Sequence, residues 1–188
     1  MERYFYHGIG DSIDCDTLDA MLTIMESGIL KSRNAVGYSG DEYEHVCLYK
    51  RNDSYDYSGS GLEGTALNGW INDSFCFIVS PDIVAEKTGF YHDLADESNA
   101  SYTDLVDEWR SDGDIPLDRV VGIGLPLDEI RDQRCVVGSR VDEYFDEKLT
   151  DILLFAESMD WVVVNSNDVN FTESLDEMLN SDGSNKCL

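Results

Sequence analysis

The sequence is short of basic residues, and this shortage limits what the protein can bind. Thirteen lysines and arginines stand against 39 aspartates and glutamates, which gives a formal net charge of −26. Phosphate backbones and anionic membranes bind proteins through cationic surfaces. The charge therefore argues against direct nucleic-acid backbone binding and against membrane docking. It favours either a solvated acidic surface or a basic protein partner.

Several local patterns are also missing. The five cysteines form no Cys-x-x-Cys pair, and the three histidines show no metal-ligand spacing. No run approaches the roughly 18 apolar residues of a membrane helix, and no basic-apolar signal segment opens the chain. Cys47, Cys76 and Cys135 stand in apolar, strand-like stretches, where a reduced cysteine acts as a small hydrophobe. We therefore expect a cytoplasmic protein without a structural metal or disulfides.

Length and composition favour one mixed domain. The chain has 188 residues, of which 42% are hydrophobic, enough to bury a single core. Stretches with strand character alternate with stretches of helical period, which predicts an α+β fold. We expect one domain over residues 1–180 and a loose polar tail over 181–188.

Helical periodicity appears in three stretches. Leu18, Met21, Leu22 and Met25 form one apolar stripe, which predicts a helix from Thr17, capped by Asp16 and ended by Ser27-Gly28. A second helix is expected over about 141–158. A third is expected over 171–180, with Thr172 as its cap.

Extended segments occur between these helices. Phe75–Val79 is a continuous apolar run, which is typical of a strand buried on both faces. Ile83–Lys87 suggests a single helical turn, and the glycine- and tyrosine-rich segment 51–69 suggests a lid. Further strands are expected at the opening run that reaches His7, and at 45–50, 105–110, 120–125 and 161–164.

Signatures of common catalytic and nucleotide-binding sites are weak. The sequence carries no nucleophile elbow and no phosphate-binding glycine-lysine loop. Gly122-x-Gly124 lacks the third glycine of a dinucleotide-binding loop. The more informative feature is His7-Gly8 at the end of the first strand, because an imidazole there adjoins backbone that a planar ligand can approach closely.

The order of three short motifs resembles a known superfamily. Tyr6-His7-Gly8 opens the chain, Tyr49 ends a later strand, and Glu108 precedes Ile115-Pro116-Leu117. In this order the chain resembles ADP-ribosyltransferases of the His-Tyr-Glu type, which include diphtheria-toxin-like toxins, poly-ADP-ribose polymerases and small rifampicin-modifying transferases. The resemblance extends from Tyr4 to about Val164. It implies a split antiparallel β core with flanking helices and NAD as a substrate.

The resemblance also implies a role for each motif residue. His7 would bond the adenine-side ribose, and backbone groups of Gly8 would hold the nicotinamide amide. Tyr49 would stack on the nicotinamide ring, with Tyr38, Tyr55 and Tyr57 as alternatives. Glu108 would stabilise the positive charge that develops as nicotinamide leaves, with Asp107 and Asp104 as fallbacks. Arg33 is a candidate for the pyrophosphate.

These assignments predict a mono-ADP-ribosyltransferase of toxin or effector type. Loss of nicotinamide passes through an oxocarbenium-like state, which a nearby carboxylate stabilises without a metal. A protein acceptor is expected, and the acidic charge of the chain favours a basic one. Val106 stands two residues before Glu108, where arginine-directed members carry an acid or amide, so another acceptor group is implied. Two alternatives remain open: an acidic inhibitor or nucleic-acid mimic, and a degenerate domain that binds NAD or ADP-ribose without turnover.

Overall fold

The chain folds into a mixed α+β architecture, as the alternation of sequence patterns predicts. A computed structural model describes residues 4–10, 12–32, 45–51, 75–90, 106–168 and 171–180. The strands and α-helices in these ranges are, in chain order, β1 (Phe5–Gly10), α1 (Cys15–Ser27), β2 (Ile29–Leu30), β3 (Cys47–Arg51), β4 (Phe75–Val79), β5 (Ala85–Phe90), β6 (Val106–Ser111), β7 (Ile115–Pro116), β8 (Val120–Leu125), α2 (Leu127–Gln133), α3 (Glu143–Ser158), β9 (Val162–Asn165) and α4 (Phe171–Asn180). A 3₁₀ turn at Leu117–Arg119 joins β7 to β8.

Seven of the strands form one sheet in the order β5-β6-β3-β1-β4-β8-β9. All neighbours in this sheet are antiparallel except β8 and β9, which run parallel. β2 and β7 pair separately as a short two-stranded ribbon. The opening strand β1 therefore lies at the centre of the main sheet, between β3 and β4.

Helices cover both faces of the main sheet. On the first face, which we call the α1 face, Phe5, Phe77 and Ile123 pack with residues of α1 and α3. On the second, the α4 face, Tyr6 and Ile78 pack with Leu175 and Met178 of α4. Side chains alternate between the two faces along each strand. Every residue of β4 is buried, which confirms the prediction for Phe75–Val79.

The first helix begins two residues earlier than its sequence pattern predicts. Asp14, not Asp16, is the N-cap, and its carboxylate accepts a hydrogen bond from the backbone N–H of Thr17 at 3.0 Å. Gly28 ends the helix in the left-handed conformation, at φ 76°. Among the described residues, no helix has both the length and the apolar character needed to cross a bilayer.

Two other local predictions were wrong. Ile83–Lys87 is not a helical turn, because the backbone from Ala85 onward pairs with β6 as an edge strand. Thr172 lies inside α4, which begins at Phe171, so it is not the N-cap. Local propensity was overridden in the first case by pairing with a distant strand.

The cysteines differ in their surroundings. Cys76 is buried in β4 and Cys47 is half-buried in β3, as expected for reduced cysteines in strands. Cys135 instead lies exposed in the turn after α2, so its predicted strand-like setting was wrong. Burial raises the pKa of the Cys15 thiol, and the nearby Asp142 carboxylate raises it further. This thiol therefore stays protonated at neutral pH.

Gly122 permits β8 and β9 to approach closely. A Cβ atom at this position would lie 2.5 Å from Cγ2 of Val162 and 2.6 Å from its carbonyl oxygen. Gly122 and Gly124 both lie in β8, which pairs with β4 on one side and with β9 on the other. The absence of a side chain at Gly122 thus serves strand packing.

Asn165 joins the end of β9 to the start of α2. Its side-chain oxygen accepts from the backbone N–H of Leu127 at 3.1 Å and from that of Asn167 at 3.2 Å. Its amide nitrogen donates to Asp128 at 2.9 Å. Because Pro126 gives α2 no side-chain cap, Asn165 supplies this function from a separate strand.

Replacing Asn165 with Ala should lower the free energy of unfolding by about 2 kcal/mol, because two part-buried N–H groups lose their acceptor. The Asn167→Ala variant is the matched control. It loses only a side-chain bond to the exposed Glu129, so we expect it to cost well under 1 kcal/mol, roughly as for surface groups. Urea unfolding measures both values. Equal losses in the two variants would contradict the capping role of Asn165.

Candidate functional site

Tyr49 and Glu108 occupy directly opposite positions on neighbouring strands. β3 pairs with β6 in a regular antiparallel register that sets Tyr49 against Glu108. β1 pairs with β3 so that Tyr6 lies opposite Tyr49. Tyr6, Tyr49 and Glu108 thus form one row across three strands, which we call the Tyr-Tyr-Glu row. Strands lie about 4.8 Å apart, so the row spans about 10 Å.

The two tyrosines of the row lie on the α4 face. Tyr6 is buried and Tyr49 is half-buried, and both belong to the apolar cluster that includes Leu175 and Met178 of α4. On the outer side of β6, Gly89 of β5 stands opposite Glu108. Because glycine carries no side chain, β5 adds no side-chain bulk to the row at that register position.

His7 is anchored through one ring nitrogen. Its Nδ1 lies 2.9 Å from the backbone carbonyl oxygen of Cys47, at the start of β3. A carbonyl oxygen can only accept, so Nδ1 carries the proton and donates it. In the neutral ring Nε2 is then the acceptor nitrogen. This arrangement suits a ligand that offers a hydroxyl hydrogen to Nε2.

His7 does not share the row with Tyr49 and Glu108. It follows Tyr6 in β1, so the alternation of the strand places it on the opposite, α1 face. There it pairs across the ladder with Phe77 of β4. A single cleft formed by His7, one tyrosine and Glu108, as the resemblance implies, would place His7 and Glu108 on neighbouring central strands. This prediction was wrong, because β3 lies between β1 and β6.

The glycines at the end of β1 reduce side-chain bulk near His7. Gly8 pairs with Cys76 and Gly10 with Phe75, and the register shifts between them because of the intervening Ile9. Such an irregularity bends a strand and interrupts its pairing. This end of β1 is also where the His7 ring contacts the start of β3. Gly8 and Gly10 therefore place no side chain beside the His7 ring at this end of the strand, and Gly8 itself is half-buried.

Lys50 is a cation that the sequence patterns did not single out. Its ammonium nitrogen lies 3.8 Å from the centre of the Phe5 ring and 4.9 Å from that of the Trp109 ring. The two rings meet edge to face, with centroids 5.5 Å apart. Lys50 alternates with Tyr49 along β3, so it lies on the α1 face with His7. The sequence signal for this placement was the strand alternation of Leu48, Tyr49 and Lys50, which puts Leu48 and Lys50 on one face and Tyr49 on the other.

Comparisons of the sequence with known proteins name no family for this chain. Neither a protein-family model nor a curated protein matches the sequence.

Some predicted site residues lie outside the described residues. They are Arg33, Tyr38, Tyr55, Tyr57 and Asp104, together with most of the expected lid and the predicted tail 181–188. Of the fallback acids, Asp107 is described at backbone level, where it pairs with Lys50 of β3. Of the four tyrosines predicted to stack on nicotinamide, Tyr49 is the one within the described residues, and it pairs with the predicted acid Glu108.

Proposed function

We propose that this chain is a mono-ADP-ribosyltransferase that cleaves the bond between ribose and nicotinamide in NAD and passes ADP-ribose to a protein acceptor. In this proposal the single seven-stranded sheet takes the place of the split antiparallel β core that the His-Tyr-Glu resemblance implies. The observation that carries the proposal is the pairing of Tyr49 with Glu108. A stacking ring and a carboxylate-bearing residue one strand apart are the two groups that this cleavage requires.

The Tyr-Tyr-Glu row suits the nicotinamide half of NAD. An electron-poor, positively charged ring is stabilised against the face of a tyrosine. As the glycosidic bond breaks, positive charge moves onto the ribose, and a fixed carboxylate stabilises that charge. Glu108 would also accept a proton from an acceptor hydroxyl. In this proposal Tyr49 binds the ring and Glu108 acts on the ribose.

His7 and Gly8 suit the rest of the dinucleotide. Nε2 of His7 would accept a hydrogen bond from the adenine-side ribose, while backbone groups of Gly8 bind the nicotinamide amide. Since His7 lies on the α1 face, NAD would pass across the end of the sheet at Gly8 and contact both faces. Lys50 on the α1 face supplies a positive charge that suits a pyrophosphate.

One observation favours a second function, the binding of NAD or ADP-ribose without turnover. His7 and the Tyr-Tyr-Glu row belong to opposite faces of the sheet. A ligand held by His7 alone would keep its scissile bond away from Glu108. Such a domain would bind the adenosine half of the dinucleotide and leave nicotinamide attached.

Two measurements on the full chain separate these functions. Calorimetry with NAD measures binding, and NAD labelled in the nicotinamide ring measures its release, with and without a lysate as a source of protein acceptors. The proposed transferase binds NAD, releases nicotinamide and labels protein from adenylate-labelled NAD. Binding without release would establish the second function. Absence of binding would contradict both functions and favour the acidic inhibitor.

A further inference from the structure

A hydrogen-bonded turn that follows α2 exposes two apolar side chains. Val136 is 56% exposed and Val137 is fully exposed. The backbone N–H of Val136 donates to Gln133 at 3.0 Å, and that of Ser139 donates to Val136 at 3.1 Å. Gly138 closes the turn at φ 82°, a conformation that favours glycine. The turn is thus fixed by its own hydrogen bonds, while two branched apolar side chains face solvent.

A cavity of about 370 Å³ adjoins this turn. It lies between the segment that follows β1 and the helix α2 that follows β8. These two strands run in the same direction, so both segments leave the sheet at the same end. Its lining combines apolar groups with an amide, a hydroxyl and two charged side chains: Ile13, Glu129, Gln133, Val136, Gly138, Ser139 and Arg140. An open cavity of this size accommodates one or two side chains of a peptide.

The chain segments that line the cavity carry more acids than bases, and the lining itself holds one of each, Glu129 and Arg140. Residues 12–14 and 127–146 contain seven carboxylates and three arginines. Each arginine is already engaged: Arg131 with Asp128 at 2.9 Å, Arg134 with Asp146 at 2.6 Å and Arg140 with Asp14 at 3.2 Å. Seven carboxylates against three arginines give these segments a net charge of −4 beside the apolar lining residues Ile13 and Val136, and Asp132 also lies 3.8 Å from Arg131. A cationic partner is attracted by this field, and an anionic one is repelled.

We propose that the Val136–Val137 turn and the adjoining cavity dock a basic segment of a partner protein, in which one apolar side chain is flanked by lysines or arginines. The apolar side chain occupies the cavity between Ile13 and Val136, and the flanking cations face the surrounding carboxylates. A second copy of this chain does not fit, because it would bring another net charge of −26 to the same acidic surface. This docking surface is independent of NAD.

Binding of a defined peptide tests the proposal. The probe is a fluorescein-labelled nonapeptide with a central leucine between two lysine- and arginine-rich flanks, and fluorescence anisotropy gives its Kd. The Val136→Ser, Val137→Ser double variant should weaken binding by about tenfold, the loss expected for one buried valine side chain. Val84→Ser is the matched control, since Val84 is 76% exposed in a different turn. It should bind the peptide as the wild type does.

Peptide variants separate the two contributions. A peptide with serine in place of the central leucine should bind the wild-type protein more weakly than the original peptide does. The double variant should bind the two peptides equally. Exchange of the lysines and arginines for glutamates should abolish binding, and added salt should weaken binding of the original peptide. Failure of the leucine peptide to bind, an unchanged Kd in the double variant or an equal loss in Val84→Ser would overturn the proposal. Because NAD is absent, none of these results depends on the transferase activity.

Discussion

Replacing Glu108 with Gln should lower the rate of nicotinamide release by about 100- to 1,000-fold, the usual cost of removing one preorganised stabilising group. Gln keeps the size of the side chain and removes its negative charge. Tyr49 stands directly opposite position 108 and still offers its ring to nicotinamide. The loss should therefore fall on kcat, with little change in the Kd for NAD. Steady-state assays with nicotinamide-labelled NAD measure the rate.

Asp107→Asn is the matched control for this prediction. Asp107 precedes Glu108 in β6 and pairs with Lys50, so it occupies the next register position in the same strand. The exchange removes the same charge from the protein without touching the Tyr-Tyr-Glu row, and the rate should stay close to that of the wild type. An equal fall in both variants would mean that general acidity, not the carboxylate at position 108, supports the reaction.

Replacing Gly122 with Ala should lower the free energy of unfolding by about 3 kcal/mol, the upper range for overpacked interiors. The new Cβ would meet Cγ2 and the carbonyl oxygen of Val162 at 2.5 and 2.6 Å. The side chain can rotate away, but the carbonyl belongs to the parallel partner strand. β8 and β9 must therefore separate. In a chain of this length, about 3 kcal/mol lowers Tm by about 6–12 °C.

Gly10→Ala tests whether this loss is specific to Gly122. A Cβ at Gly10 would lie 3.8 Å from the side chain of Thr17, an ordinary van der Waals distance. The exchange also restricts the unfolded chain, so stability should stay within about 1 kcal/mol of the wild type. Thermal unfolding of both variants gives the comparison. If the Gly122→Ala and Gly10→Ala variants have the same Tm, the close contact between β8 and β9 does not need glycine.

The sequence predicts best those elements whose signal is local and dense. Phe75–Val79 is apolar at every position, and it forms a wholly buried strand. Leu18, Met21 and Met25 repeat with a helical period, and all three are buried in α1. Gly28 ended that helix as predicted. In these stretches neighbouring residues determine the structure, so no distant contact is needed to predict it.

Elements that depend on distant partners were harder to predict. α2 begins after Pro126 without a side-chain cap of its own, and its first N–H groups depend on Asn165. Ala85–Phe90 is a strand because β6 pairs with it. In both cases the determining contacts lie 17 or more residues away in the chain, beyond any local pattern.

The candidate site, too, was predictable only in part from local patterns. Resemblance selected His7, Tyr49 and Glu108, but their arrangement depends on strand order and register. The order β6-β3-β1 brings Tyr49 against Glu108, which no local pattern could predict. A shift of one residue in β3 would exchange its two faces. The separation of His7 from the Tyr-Tyr-Glu row follows from that same register.

The most direct measurement is a crystal structure of the Glu108→Gln variant with NAD bound, since this variant should bind NAD and cleave it slowly. We predict that the nicotinamide ring stacks on Tyr49 on the α4 face, with its ribose beside position 108 and its amide at the backbone of Gly8. The adenine-side ribose should bond Nε2 of His7. A dinucleotide held wholly on the α1 face, away from Tyr49, would contradict the proposed site.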